Sequence, residues 1–169
     1  MTPSCTPYHQ VVLGDVIFPL DTLVRLGNLG TILPGPIGVR FTPDNVLIPD
    51  MIYVIHDRQY VIGPRVVDAP PDLIVEFLSD ETRARDSTVK RDLYARFGVQ
   101  EYWIVDPEAR TVSVLGLVGA RFEPIPFTED RVLQSWILPE LRLTVEAVFE
   151  GIDELEKYRI ARKSHGDND

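Results

Sequence analysis

The six-residue run Leu73–Leu78 has the apolar character of a strand, yet Glu76 stands inside it. The residues after this run limit the possible folds further. Ser79 or Asp80 suits a helix cap, and Glu81 in the first turn suits the helix dipole. Val89, Leu93 and Phe97 recur at four-residue steps as the apolar stripe of a helix over 81–97, and Gly98 stops it. EYWIVD (101–106) and RTVSVLGL (110–117) then read as two strands joined by the turn DPEA, a hairpin. Strand, helix and hairpin in that order give a mixed sheet with helices packed on it, and neither an all-α nor an all-β chain.

Upstream, His9 to Leu26 places Val12, Val16, Leu20, Leu23 and Val24 at helical spacing, with Pro19 expected to kink or split the helix. Residues 27–38 read as a turn, Val39–Phe41 as a strand, and Val46–Ile55 as a strand interrupted by Pro49-Asp50. Residues 56–70 read as a loop with a short apolar piece at Tyr60–Ile62, and 121–138 as mixed and turn-rich. Leu141–Ile152 is expected to dock as a strand or helix, and the tail from Lys157 to fray. The prolines punctuate short elements, so residues 1–169 are expected to form one domain with a flexible tail over 157–169.

Composition narrows the function. A net charge of −9 counts against a protein whose main task is coating nucleic acid, which calls for a broad basic surface. It leaves room for an enzyme that meets a phosphodiester locally through a metal. One cysteine, Cys5, rules out an internal disulfide and a cysteine-rich zinc site. No apolar run is long enough to span a bilayer, and MTPSCTPYHQ lacks the layout of a signal peptide, so a cytoplasmic protein with no membrane partner is expected. No glycine-rich phosphate loop, Ser-His-Asp set or dinucleotide fingerprint appears, so no nucleotide cofactor is expected.

Burying a carboxylate is costly unless it is paired or bound to a metal. Alternation puts Asp72, Ile74 and Glu76 on one face of the strand and Leu73, Val75 and Phe77 on the other. Either the Glu76 face is solvated near its edge, or Glu76 has a partner. Asp50 is a second acid embedded in a strand-like run, VLIPDMIYVI. Asp86, Lys90 and Tyr94 are spaced to line one side of the following helix. Two acids and a lysine suit metal-assisted phosphodiester hydrolysis: carboxylates hold Mg²⁺ or Mn²⁺, and a lysine orients the water and offsets phosphate charge. On spacing alone, chance or a surface ion pair between Asp86 and Lys90 gives the same pattern.

The wording is more specific than the spacing. The run PDLIVEFLSDETRARDSTVKRDLYARFGVQEYWIVDP resembles the Uma family of restriction-endonuclease-like proteins (the Uma-two domain). The family pattern is a valine-rich strand ending E-V-L-S, a helix with D, K and Y at four-residue steps, then G-V-x-E-Y-W-x-V-D-P. Only Phe77 departs from it, standing where valine is usual, and GVRFTPDNVLIPDMIYV resembles the family's strand carrying P-D. The match runs from about Pro7 to Phe149. The resemblance implies a PD-(D/E)xK nuclease fold, a mixed β-sheet flanked by helices, and an endonuclease that hydrolyses DNA. It implies Asp50 and Glu76 as metal-ligand acids for Mg²⁺ or Mn²⁺, with the Phe77 carbonyl completing the shell. Leu78 occupies the usual lysine position, and the resemblance implies the helical Lys90 in its place. Ser79, Asp86, Tyr94 and Tyr102 become supporting candidates, and so does His9, because the family often places a histidine there. Members usually begin with a helix and an acid-rich E-x-I-x-G-E hairpin ahead of P-x-x-H. This chain starts almost at PYHQ, so that hairpin is expected to be missing, leaving an apolar surface exposed or covered by a partner chain.

Other residues have plainer readings. A lone histidine near a terminus is commonly a polar helix-start residue, and His56 and His165 carry no assignment. Trp103 is expected to fill the core beneath the 81–97 helix, with Tyr102 on the opposite face; either ring could also stack on a base. Arg83, Arg85, Lys90, Arg91 and Arg96 make that helix locally basic, which suits a phosphate backbone or a solvated face equally. The competing reading for the whole chain is a catalytically inactive or truncated member of the fold, acting as a binding or assembly module, as a homodimer.

Overall fold

The computed structural model describes residues 6–78 and 86–166. In chain order, α1 (Pro7–Gly27) leads into β1 (Gly30–Pro34), β2 (Val39–Thr42), β3 (Asn45–Leu47) and β4 (Met51–Ile55). A 3-10 turn over His56–Val61 precedes β5 (Leu73–Phe77) and α2 (Asp86–Arg96). β6 (Glu101–Asp106), β7 (Thr111–Val118), β8 (Arg121–Pro124), α3 (Val145–Val148) and α4 (Glu150–Gly166) come next. The main sheet has six strands in the order β1-β4-β5-β6-β7-β8, and β2 and β3 form a separate pair. Only β5 and β6 run parallel, because the α2 crossover separates them; every other neighbouring pair is antiparallel. This is the mixed sheet with flanking helices that the sequence implies.

Each face of the sheet has its own core. On one, α1 lays Val12, Val16, Leu20 and Val24 over Leu73, Val75, Phe77, Trp103 and Val105. On the other, Ile52, Val54, Ile74 and Tyr102 pack with Tyr94, Ala95 and Val99. The alternation read from Leu73 to Phe77 therefore holds, with both faces buried.

Several local expectations change. Pro19 lies inside one unbroken α1; the buried stripe either side of it anchors the helix to the sheet. The stretch read as a turn contains β1, whose register with β4 runs from Gly30↔Ile55 to Pro34↔Met51. An edge strand accepts a terminal proline because one side of it needs no ladder donor. The apolar stripe of α2 is rotated: Val89 is 66% exposed, while Tyr94 and Ala95 are buried. Trp103 fills the core under α1, not under α2, and it is Tyr102 that lies beneath α2. The stretch expected to fray from Lys157 is helical to Gly166, with its described side chains mostly exposed. Among the described residues, no helix is long and apolar enough to cross a membrane.

Candidate active site at the ends of β4 and β5

Four elements converge where β4 begins and β5 ends. The register Met51↔Val75 leaves Asp50 and Glu76 as the next residues along these two antiparallel strands. Pro49-Asp50 is where the chain leaves β3 and turns into β4. Gly35 holds that turn: its N–H donates to the Asp50 carbonyl at 2.7 Å, and a Cβ at Gly35 would lie 2.7 Å from the Pro49 oxygen. The Asp50 side chain is held in turn, its Oδ2 accepting the Phe77 N–H at 2.8 Å.

Glu76 is buried on the α2 side. Lys90 Nζ lies 3.2 Å from its Oε1 and 3.3 Å from its Oε2, and the Tyr94 hydroxyl donates to Oε1 at 2.7 Å. Lys90 and Tyr94 reach one carboxylate because four-residue spacing stacks them on one helix face. His9 arrives from α1. The Thr6 hydroxyl caps that helix by accepting the His9 N–H, and His9 extends the buried stripe of Val12 and Val16. Its Nε2 is 3.6 Å from Asp50 Oδ1, and its ring centroid is 5.3 Å from that of Phe77.

The electrostatics follow from this packing. Burial pushes the Glu76 carboxyl up to about 7. Lys90 and the Tyr94 hydrogen bond pull it down, and the nearby Asp50 charge pushes it up. The ion pair distance alone suggests a well-compensated carboxylate, but burial outweighs the pair, since desolvating a carboxylate costs more than one partly exposed ammonium returns. Tyr94 is raised, first by burial and then by Glu76, so it stays protonated and donates.

The sequence-derived set is therefore largely assembled: Asp50, Glu76, Lys90, Tyr94, His9 and the Phe77 backbone meet at one place. Tyr102 approaches through Tyr94, edge to face at 5.2 Å between ring centroids. Ser79 and the side chain of Asp86 lie outside the described residues. Two neighbouring carboxylates, one held at neutral pKa by burial and a like charge, are an oxygen-only donor set that fits Mg²⁺ or Mn²⁺. Among the described residues no group of three or more His, Cys, Asp or Glu gathers. An ion here would thus draw further ligands from backbone and water, as Mg²⁺ usually does. Sequence reasoning missed Tyr8, Arg110, Glu156 and Arg159, which meet beside the site from α1, the β6–β7 turn and α4. No short-range pattern links residues so far apart.

A solved structure of a putative nuclease from Anabaena variabilis aligns with a TM-score of 0.73 and 19% identity, covering 89% of this chain and 84% of that one. At that identity the likeness establishes the fold. No curated protein matches the chain. The family described as "Putative restriction endonuclease", Uma2, matches residues 1–146, most of the chain. The chain belongs to the Uma2 family.

Proposed function

We propose that the protein is a metal-dependent endonuclease that hydrolyses phosphodiester bonds in DNA. The observation that carries this reading is the buried Glu76, bound by Lys90 and Tyr94 and set beside Asp50. In this reading Asp50, Glu76 and the Phe77 carbonyl hold Mg²⁺ or Mn²⁺. The ion would supply Lewis acidity toward the phosphoryl oxygens and lower the pKa of a bound water. Lys90 orients the attacking water and offsets the charge that builds on the phosphorus oxygens. Tyr94 fixes Glu76 Oε1 and the Phe77 N–H fixes Asp50 Oδ2, which holds the two carboxylates in place for the reaction. The family description and the shared fold support a nuclease.

Nicking of supercoiled plasmid with Mg²⁺ or Mn²⁺ tests the proposal on wild type, Asp50→Ala, Glu76→Gln and Lys90→Ala, each checked for folding by circular dichroism. Nicking should fall by about a hundredfold or more in every variant. A Glu76→Gln protein that nicks at the wild-type rate contradicts it. One observation favours the second reading, a non-catalytic binding or assembly module, acting as a homodimer: the net charge of −9 opposes a polyanion. Folded wild type that neither binds metal nor nicks DNA would select that reading.

A further inference from the structure

Beside the Asp50–Glu76 pair the described residues line a cavity of about 740 Å³. That volume falls within the roughly 300–1,000 Å³ typical of ligand pockets. Its walls are mainly apolar, from Pro7, Leu78, Pro107, Ile152 and Leu155. Its polar groups come from Thr6, Tyr8 and His9 and from two carboxylates and two guanidinium groups, Glu108 and Glu156 with Arg110 and Arg159. Arg110 is tied to Asp153 and, at 2.9 Å, to Glu156. Arg159 donates to the Tyr8 hydroxyl at 3.2 Å and, among the described residues, has no carboxylate partner. The same Tyr8 hydroxyl donates to Glu156 Oε1 at 3.5 Å, so Arg159 is exposed with an acid near it but no direct ion pair among the described residues, which leaves its guanidinium able to take a phosphate.

The cavity borders the candidate active site at two residues. His9 lines it and lies 3.6 Å from Asp50. Leu78 lines it and directly follows Phe77, whose N–H binds Asp50. His9 therefore stands between this cavity and Asp50, while Glu76 lies on the α2 side of the sheet.

We propose that this cavity is a nucleobase pocket: it takes one base of the substrate strand out of its stack, with Arg159 on an adjoining phosphate. The inference rests on the nucleic-acid reading above and deepens it. Apolar walls suit the faces of a base. The Tyr8 hydroxyl, the Glu156 carboxylate and the guanidinium groups suit its hydrogen-bonding edge. Extruding a base costs least from a strand that is already single, so single-stranded DNA is the preferred substrate form.

The test uses the full chain with Ca²⁺ in place of Mg²⁺, so that binding is read without turnover. Two fluorescent single strands of equal length are compared, an oligothymidylate and a strand of abasic units. Wild type should bind the oligothymidylate about tenfold more tightly, within the range of stacking one base. Leu155 is 38% exposed, so Leu155→Trp can narrow the cavity with a bulkier ring without rebuilding the core. In that variant the ratio should fall to near one. Arg159→Ala should weaken both strands alike and leave the ratio intact. Equal binding of the two strands by wild type, or a ratio unmoved by Leu155→Trp, overturns the pocket. Cleavage of the oligothymidylate by wild type in Mg²⁺ separates the two claims. Cleavage without base discrimination removes the pocket alone, and base discrimination without cleavage keeps the pocket and removes the nuclease.

Discussion

Glu76 has an ammonium against both its oxygens, yet burial still pushes its carboxyl up from 4.5 to about 7. The consequence for stability has a definite sign. Below pH 4.5 the acid is protonated whether the chain is folded or not. Between 4.5 and about 7 the unfolded chain gives up this proton while the folded one keeps it, so stability falls as pH rises, then levels off. A gap of this size amounts to about 3 kcal/mol. Glu76→Gln keeps an oxygen that can accept from Tyr94 but cannot titrate. In urea melts with chelator present, the wild type should lose about 3 kcal/mol more than Glu76→Gln between about pH 4 and pH 8. Parallel pH profiles would show that Glu76 titrates normally. At this scale much of the site is legible in the sequence. An acid within a six-residue apolar run needs a partner, and the four-residue step from Lys90 to Tyr94 says which helix face supplies it. His9 is less legible, because a polar residue near a helix start has an ordinary explanation, and only the position of α1 over β4 gives it another.

The elements that frame the site depend on one close approach. α4 begins against α1, where Asp15 Oδ2 accepts the Gly151 N–H at 2.9 Å. A Cβ at Gly151 would stand 2.4 Å from Val11 Cγ1 and 2.8 Å from Asp15 Oδ2. Gly151→Ala should therefore push the helices apart and cost about 1–3 kcal/mol, read as a lowered urea midpoint. An unchanged midpoint would mean the two helices separate freely. Elements with a strong period are legible beforehand: the stripe of α1, the strand β5, and the hairpin of β6 and β7. β1 is not, because five residues that begin with a glycine and end with a proline resemble a turn until β4 pairs with them. The end of α4 is not either, since its polar sequence carries no apolar period.

At the scale of the molecule, an acidic protein that handles DNA should hold it through few contacts. Of the three cations in the described part of α2, Lys90, Arg91 and Arg96, only Arg96 is exposed. Arg91 donates inward to the Phe122 carbonyl at 2.7 Å, and Lys90 is committed to Glu76. Binding to DNA in Ca²⁺ should consequently depend weakly on salt, with a slope of log K against log salt of about −2 or shallower. A slope of about −6 or steeper would reveal a broad basic interface and a different mode of engagement.

The most direct measurement is calorimetric titration of Mn²⁺ into wild type, Asp50→Ala and Glu76→Gln at about pH 6 and pH 8. Ligation by Glu76 displaces its proton, so wild-type affinity should rise about tenfold between the two pH values. Neither variant should bind measurably. Glu76→Gln that binds Mn²⁺ as tightly as wild type, or wild-type affinity that ignores pH, would contradict the assignment of this carboxylate to a metal.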